Sequence, residues 1–320
     1  MWDEQITAQP PYYLGFDGGG TKTDCVLADS TGTVLKRATA GPSNPLRAGY
    51  AKAWFTLSDA GDTVLERQHL KSDDIRGICA GIGGAGRESV ANKLKSFLER
   101  SFPGADVEVT TDVDITLEAA VGKGEGAILI VGTGSSALAR NSDGRTARAG
   151  GRGPWFSDEG SAFDIGRRAL NAVVRAEELR GPETELSTQI LKWLDSRDWS
   201  HVLDWVSKNP DDVFPRVYPL VARLADKGDA VSQGLLTSAA DSLAGLVGSV
   251  LTRLAMDTYQ VPVSLCGGTL RRSKFFDAAI EESLRRVAPL AQVSHLQARP
   301  AEAAARRAIR REKQRANAAG

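Results

Sequence analysis

An α/β protein built from two similar halves is the fold class this sequence predicts, and three observations predict it. An apolar run that meets a glycine- and hydroxyl-rich turn, returns as a second apolar run and reverses at a polar Gly turn occurs twice. The first copy starts at Leu14, passes Asp17, Gly18, Gly19, Gly20, Thr21, Lys22 and Thr23, returns through Cys25 to Ala28, and reverses at residues 29–32. The second starts at Ile128, passes Gly132, Thr133, Gly134, Ser135 and Ser136, and reverses at residues 141–144. Helix- and strand-type periodicities follow each copy, so that a βββαβα order begins near residue 12 and starts again near residue 128. Finally, 320 residues at 42% hydrophobic and 25% charged suffice for two domains with substantial cores.

Taken in order, a polar leader precedes a three-stranded antiparallel meander over residues 12–39, broken at Gly18 to Gly20 and at the turn 29–32. Asn44 stands between Pro42 and Pro45 in a rigid loop. The spacing of Ala51, Trp54, Phe55, Leu57, Val64 and Leu65 predicts a helix or two between Arg47 and His69, followed by a buried strand over Ile75–Ile82. A helix over 89–100, a strand over 107–110 and a helix over 114–122 complete the first half. The second half has its own meander, a helix from 158 to about 178, several helices between 183 and 254, a strand over Val261–Cys266 and a helix over 273–286. An Ala-rich closing helix is expected over 301–318. The domains are accordingly expected at 10–116, joined by the helix at about 300–315, and at 117–299, with a ligand-holding cleft between halves whose matching loops face each other.

Forty basic residues balance forty acidic ones, which gives no field favouring nucleic acid or an anionic membrane. Arg306, Arg307, Arg310, Arg311 and Lys313 crowd the C-terminus and read as a solvated helix face. Cys25, Cys79 and Cys266 are mutually distant and sit in apolar strand-like runs, the pattern of buried reduced thiols and not of a disulfide framework or zinc site. The leader lacks a signal pattern and no uninterrupted apolar run reaches bilayer length, so a cytoplasmic protein is expected.

Gly-rich turns with Thr and Ser hydroxyls suit phosphate, because backbone N–H groups converge without Cβ obstruction. Two of them can grip one polyphosphate. Only the first carries a carboxylate, Asp17, placed to hold a divalent cation. Asp112 ends a strand and opens a helix, where it can be an N-cap or a base accepting a proton from an attacking hydroxyl. Residues 150–161 combine Gly150, Gly151, Trp155, Asp158 and Ser161 ahead of a helix; the segment suits a polyhydroxylated ligand, or is a capped helix start with Ser157 or Asp158 as cap and Trp155 as core. Gly267 and Gly268 follow a strand, either as bare backbone for a flat base or as a tight turn. Gly81, Gly83 and Gly86 match a dinucleotide fingerprint, but the meander ahead of their strand contradicts a Rossmann unit, and they read as a cleft wall. His69, His201 and His295 lie far apart and read as surface or core residues.

The chain resembles the sugar kinases of the actin, hexokinase and Hsp70 superfamily, and within it the N-acetylglucosamine kinase or BadF/BadG/BcrA/BcrD ATPase family. The resemblance spans Tyr13 to about Ala308 and rests on segments 16–23 (FDGGGTKT), 43–45 (SNP), 81–87 (GIGGAGR), 110–112 (TTD), 132–136 (GTGSS), 158–161 (DEGS) and 265–273 (LCGGTLRRS). It implies duplicated ribonuclease H-like domains, each a mixed five-stranded sheet flanked by helices. It also implies Mg²⁺ at Asp17 and ATP phosphates at residues 18–23 and 132–135, with adenosine over Gly267 and Gly268. The sugar would be held by Asn44, Asp112, Asp158, Gly150 and Gly151, with Asp112 as base for γ-phosphoryl transfer to a hexosamine 6-hydroxyl. A homodimer acting on a small sugar is the implied assembly. Three places depart from the family pattern: Arg152 stands where Trp is common after the paired glycines, Ser157 where Gly is common, and a late Pro-x-x-Gly-Ala pattern appears as Pro300-Ala-Glu-Ala-Ala304. The alternative within the same superfamily is an ATPase that activates a partner redox enzyme through an iron–sulfur cluster on loop cysteines. A sugar-responsive repressor would need a helix-turn-helix ahead of the first strand, which starts near Tyr12.

Overall fold

The computed structural model describes residues 10–196 and 198–319; most of the polar leader lies outside the described residues. The chain divides into two compact units, one formed by residues up to Lys123 together with Gln297 onward, the other by Gly124–Leu296. Each contains one mixed five-stranded sheet with helices against it.

In the first unit β1 (Tyr12–Gly18), β2 (Thr23–Ala28) and β3 (Val34–Ala40) form the antiparallel meander. Its second turn is fixed by Asp29, whose Oδ1 accepts hydrogen bonds from the amides of Thr31 (2.9 Å) and Thr33 (3.0 Å). The following α1 (Pro45–Ala48) and α2 (Tyr50–Glu66) return the chain to β4 (Ile75–Ile82), which pairs parallel to β1. On α2 the buried Ala53, Leu57, Ala60, Val64 and Leu65 recur at helical spacing, so one face is apolar. β4 is buried at all but one position, as a strand covered on both faces must be. Then α3 (Glu88–Ser101), β5 (Asp106–Thr110) and α4 (Asp112–Val121) complete the strand order β3-β2-β1-β4-β5.

The closing helix α11 (Pro300–Ala319) packs on β1, β2, β4 and α4 of this unit. Its basic residues are not merely solvated: Arg307 bonds Glu108 at 2.6 Å and Glu118 at 3.3 Å, and Arg311 bonds Asp106 at 2.7 Å. Partial burial pushes the Asp106 carboxyl up, but Arg311 and Arg315 together outweigh it and hold the group below its ordinary range. Close approach of α11 to β1 demands a bare backbone at Gly15, where a Cβ would fall 2.1 Å from the Ala301 carbonyl oxygen. Gly15→Ala is therefore expected to cost at least about 1–3 kcal/mol, read as a lower urea midpoint, and an unchanged midpoint would contradict this packing.

The second unit repeats the plan. β6 (Gly126–Val131), β7 (Ser135–Arg140) and β8 (Thr146–Gly150) form its meander, again turned by an Asx side chain, with Asn141 Oδ1 accepting from the Arg145 amide at 2.9 Å. α5 (Ala162–Glu177), α6 (Leu186–Trp193), α7 (Trp199–Lys208), α8 (Pro210–Asp226) and α9 (Ala230–Arg253) precede β9 (Val261–Cys266), α10 (Lys274–Val287) and β10 (Ala291–His295). The order β10-β9-β6-β7-β8 gives each strand a counterpart in the first sheet.

β10 escapes the sequence pattern, because a half-exposed edge strand reading Ala-Gln-Val-Ser-His pairs on one side only, with β9. By length and mean apolarity α9 could cross a membrane, but Ser232, Gln233 and Asp241 interrupt its apolar run, in keeping with the sequence expectation, and Leu236, Ala240, Leu243, Val247 and Leu251 are buried against the sheet, α8 and α10. It is the central core helix of its unit.

Candidate active site

In the first unit the turn between β1 and β2 is closed by the Gly19 amide donating to the Lys22 carbonyl at 2.9 Å. Gly20 and Thr21 project outward, exposed, and their amides donate to no acceptor among the described residues. These are the open donors a phosphate requires. Thr23 does not join them. It is fully buried in β2, and its hydroxyl lies 2.8 Å from the Gly41 carbonyl and 2.7 Å from Ser43 Oγ, anchoring the next loop. Lys22 turns to Asp24, which also accepts from Thr39 Oγ1 at 2.7 Å.

Further loops converge on this turn. The amides of Ser43 and Asn44 both donate to the Gly19 carbonyl at 3.1 Å, and the Gly83 amide donates to the Gly18 carbonyl at 2.7 Å. Asn44 divides its work: its Oδ1 accepts from the Leu46 amide at 3.0 Å, capping α1, while its Nδ2 lies 3.1 Å from where a Gly83 Cβ would sit. Asp112 Oδ2 lies 3.3 Å from that same point. The bare Gly83 backbone is thus flanked by an amide and a carboxylate.

The helix-cap role open to Asp112 belongs instead to Thr111. Thr111 Oγ1 accepts from the Asp114 amide at 3.1 Å, and Asp114 Oδ2 reciprocates to the Thr111 amide at 3.3 Å, a complete capping box. Asp112 is left as the first helical residue, half-buried, with Oδ1 accepting from the Val113 amide at 3.0 Å.

Asp17 lies on β1 opposite Asp24. Burial, then the charges of Asp112 and Asp24, push its carboxyl up from 3.8 to about 7, against the weaker opposing pull of Lys22. No group of three or more His, Cys, Asp or Glu side chains able to hold a metal occurs among the described residues. A desolvated carboxyl beside like charges fits a Mg²⁺ ion that takes one protein carboxylate and completes its shell with water and phosphate oxygens.

The second unit has its own convergence. The Gly132 amide donates to the Gly134 carbonyl at 2.9 Å, and the amides of Thr133 and Gly134 donate to no acceptor among the described residues. A Cβ on Gly134 would fall 2.7 Å from Asp158 Oδ2, so the buried Asp158 touches this loop. Ser135 is buried, its Oγ donating to the Glu159 carbonyl at 2.7 Å. Gly267 takes φ +120° with its Cα against the Val131 carbonyl, to which the Thr269 amide (3.2 Å) and Oγ1 (2.5 Å) both donate; Gly268 faces open space. The 132–135 turn and the 267–268 turn therefore meet at the end of β6.

Gly150 and Gly151, at φ +74° and +68°, pack on Ser135 and Ser136. Neither candidate cap of the next helix holds: Ser161 caps α5, accepting from the Asp164 amide at 3.3 Å. Trp155 and Phe156 are not core; they are 63% and 89% exposed, with Trp155 edge-on to Phe163 at 5.5 Å. The cysteines lie on β2, β4 and β9, none on a loop.

The model of the BadF/BadG/BcrA/BcrD ATPase family matches residues 14–307. An N-acetyl-D-glucosamine kinase of Dictyostelium discoideum is 29% identical over 94% of this chain and 98% of its own length. An N-acetylmuramic acid/N-acetylglucosamine kinase of Clostridium acetobutylicum is 29% identical over 82% of this chain and 87% of its own. A solved structure from Chromobacterium violaceum, assigned as an N-acetylglucosamine kinase, superposes with a TM-score of 0.77 at 28% identity, covering 92% of this chain and 97% of that one.

Proposed function

From the premise that the chain belongs to the BadF/BadG/BcrA/BcrD ATPase family and is a phosphotransferase with an alcohol acceptor, we propose that it transfers the γ-phosphoryl of ATP to the 6-hydroxyl of N-acetylglucosamine or a closely related hexosamine. The observation that carries the reading is the grouping of Asp17, the open 18–21 turn, Asn44 and Asp112 around the bare Gly83 backbone. A phosphate-binding turn beside a carboxylate that does not serve as the helix cap is the arrangement an alcohol acceptor requires.

Asp112 accepts the hydroxyl proton as the oxygen attacks phosphorus, while Asn44 Nδ2 orients the sugar. The amides of Gly20, Thr21, Thr133 and Gly134 receive phosphate oxygens, and Gly267 and Gly268 support adenosine. Asp17 would hold Mg²⁺, which when bound neutralises charge on the phosphates. The sugar contacts also include Asp158, Gly150 and Gly151, of which Asp158 abuts the 132–135 turn as well.

An ADP-release assay over N-acetylglucosamine, glucosamine, N-acetylmuramic acid and glucose tests the reading. An N-acylated hexosamine is expected to raise turnover at least about tenfold above the ATP-only rate. If none of the hexosamines does so, the assignment is wrong.

A further inference from the structure

Phosphoryl transfer spreads negative charge over three equatorial oxygens, and a cation placed there accelerates it strongly. The phosphate-type turn of the first unit has two cations at hand. Lys22 is engaged by Asp24, itself tied to Thr39. Arg47, on α1, is different. A Cβ on Gly20 would lie 3.0 Å from Arg47 Cδ and 3.1 Å from its Nη1, so the side chain lies across the bare outer face of the turn, and it enters no ion pair among the described residues.

The loop that bears Arg47 is itself fixed to the turn. The Ser43 and Asn44 amides hold the Gly19 carbonyl, Asn44 caps α1, and the Arg47 amide donates to the Asn44 carbonyl at 3.1 Å. An exposed guanidinium is thereby tethered beside the open amides of Gly20 and Thr21, with no carboxylate among the described residues claiming it.

We propose that Arg47 is a catalytic residue that contacts the γ-phosphoryl group of ATP and neutralises its charge during transfer. The inference rests on the kinase reading above. As the sugar O6–phosphorus bond forms, the bond from phosphorus to the β,γ-bridging oxygen breaks. The electron pair leaves on ADP, the hydroxyl proton passes to Asp112, and the planar guanidinium donates to two equatorial oxygens at once. Lysine, a point charge on a different stem, supplies the charge without the fork.

The test compares wild type, Arg47→Gln and Arg47→Lys in steady-state kinetics with ATP, Mg²⁺ and N-acetylglucosamine, in ADP binding, and in inhibition by ADP with aluminium fluoride, which imitates the transferring group. Arg47→Gln is expected to lower kcat by about 10²–10³-fold, to weaken the aluminium fluoride complex by a similar factor and to leave ADP affinity within about twofold. Arg47→Lys should recover part of kcat. Since Arg47 is exposed, both variants should keep the wild-type melting temperature. A kcat within about threefold of wild type in Arg47→Gln overturns the inference, as does a loss shared equally by ADP and the aluminium fluoride complex. A wild-type protein that makes no sugar phosphate overturns the kinase reading and this inference together, whereas active wild type with equally active Arg47→Gln overturns this one alone.

Discussion

Asp112→Asn is expected to lower kcat for sugar phosphorylation by about 10³-fold, the scale of a lost general base, while ATP affinity stays within about twofold. Asparagine keeps the shape and one acceptor oxygen but cannot take a full proton from the attacking hydroxyl. The helix behind it should not suffer, because Thr111 and Asp114 supply the capping box. Melting temperature should therefore hold to within a degree or two, which separates chemistry from folding. A helix-capping Asp would give the reverse pattern, with stability falling and turnover nearly intact. Turnover within about fivefold of wild type would remove Asp112 from the mechanism.

In metal-free protein at pH 8, Asp17→Asn is expected to stabilise the fold while abolishing turnover once Mg²⁺ is restored. The folded carboxyl sits at about 7 against an ordinary 3.8, because burial and then Asp112 disfavour its charge. Between about pH 4 and pH 7 the folded protein thus retains a proton that the unfolded chain releases. This contribution to stability is intact below about pH 4, erodes as pH rises toward about 7 and is gone above it, whereas the asparagine side chain of the variant carries no such loss. Linkage puts the difference between variant and wild type at up to about 4 kcal/mol at pH 8, and near zero below about pH 4. Urea denaturation in EDTA at pH 5 and pH 8 measures it. A gap that shrinks or stays constant with rising pH would show that Asp17 is ionised at no cost, and would leave the ion-holding role without its physical basis.

Much of this was legible in the residues because both copies of the meander carry the same turn chemistry. Glycines followed by hydroxyls mark the phosphate-type turns, and Asp29 and Asn141 mark the reversals, each with a side chain that bonds its own loop. Central strands such as Ile75–Ile82 announce themselves by unbroken apolarity. The edge strand at Ala291–His295 does not, since much of it faces solvent and its pairing is one-sided. Residue type also said too little about direction. Thr23 shares the turn's composition, but strand alternation sends its side chain into the core. Thr111 and Asp112 both suit an N-cap, and only the backbone assigns the cap to Thr111. Arg47 carried no pattern at all: its place beside Gly20 follows from how the loop at Asn44 folds onto the Gly19 carbonyl. The basic C-terminal crowd read as solvated because its partners, Asp106, Glu108 and Glu118, are remote in sequence.

In the proposed reaction ATP gives its terminal phosphoryl group to a sugar hydroxyl. Phosphorus and carbon NMR of a reaction containing the protein, Mg²⁺, ATP and carbon-labelled N-acetylglucosamine tests it directly. The expected result is a phosphomonoester resonance coupled to C6, growing in step with ADP. Inorganic phosphate accumulating with ADP and no phosphorylated carbon would contradict it, and would mark the protein as an ATPase instead.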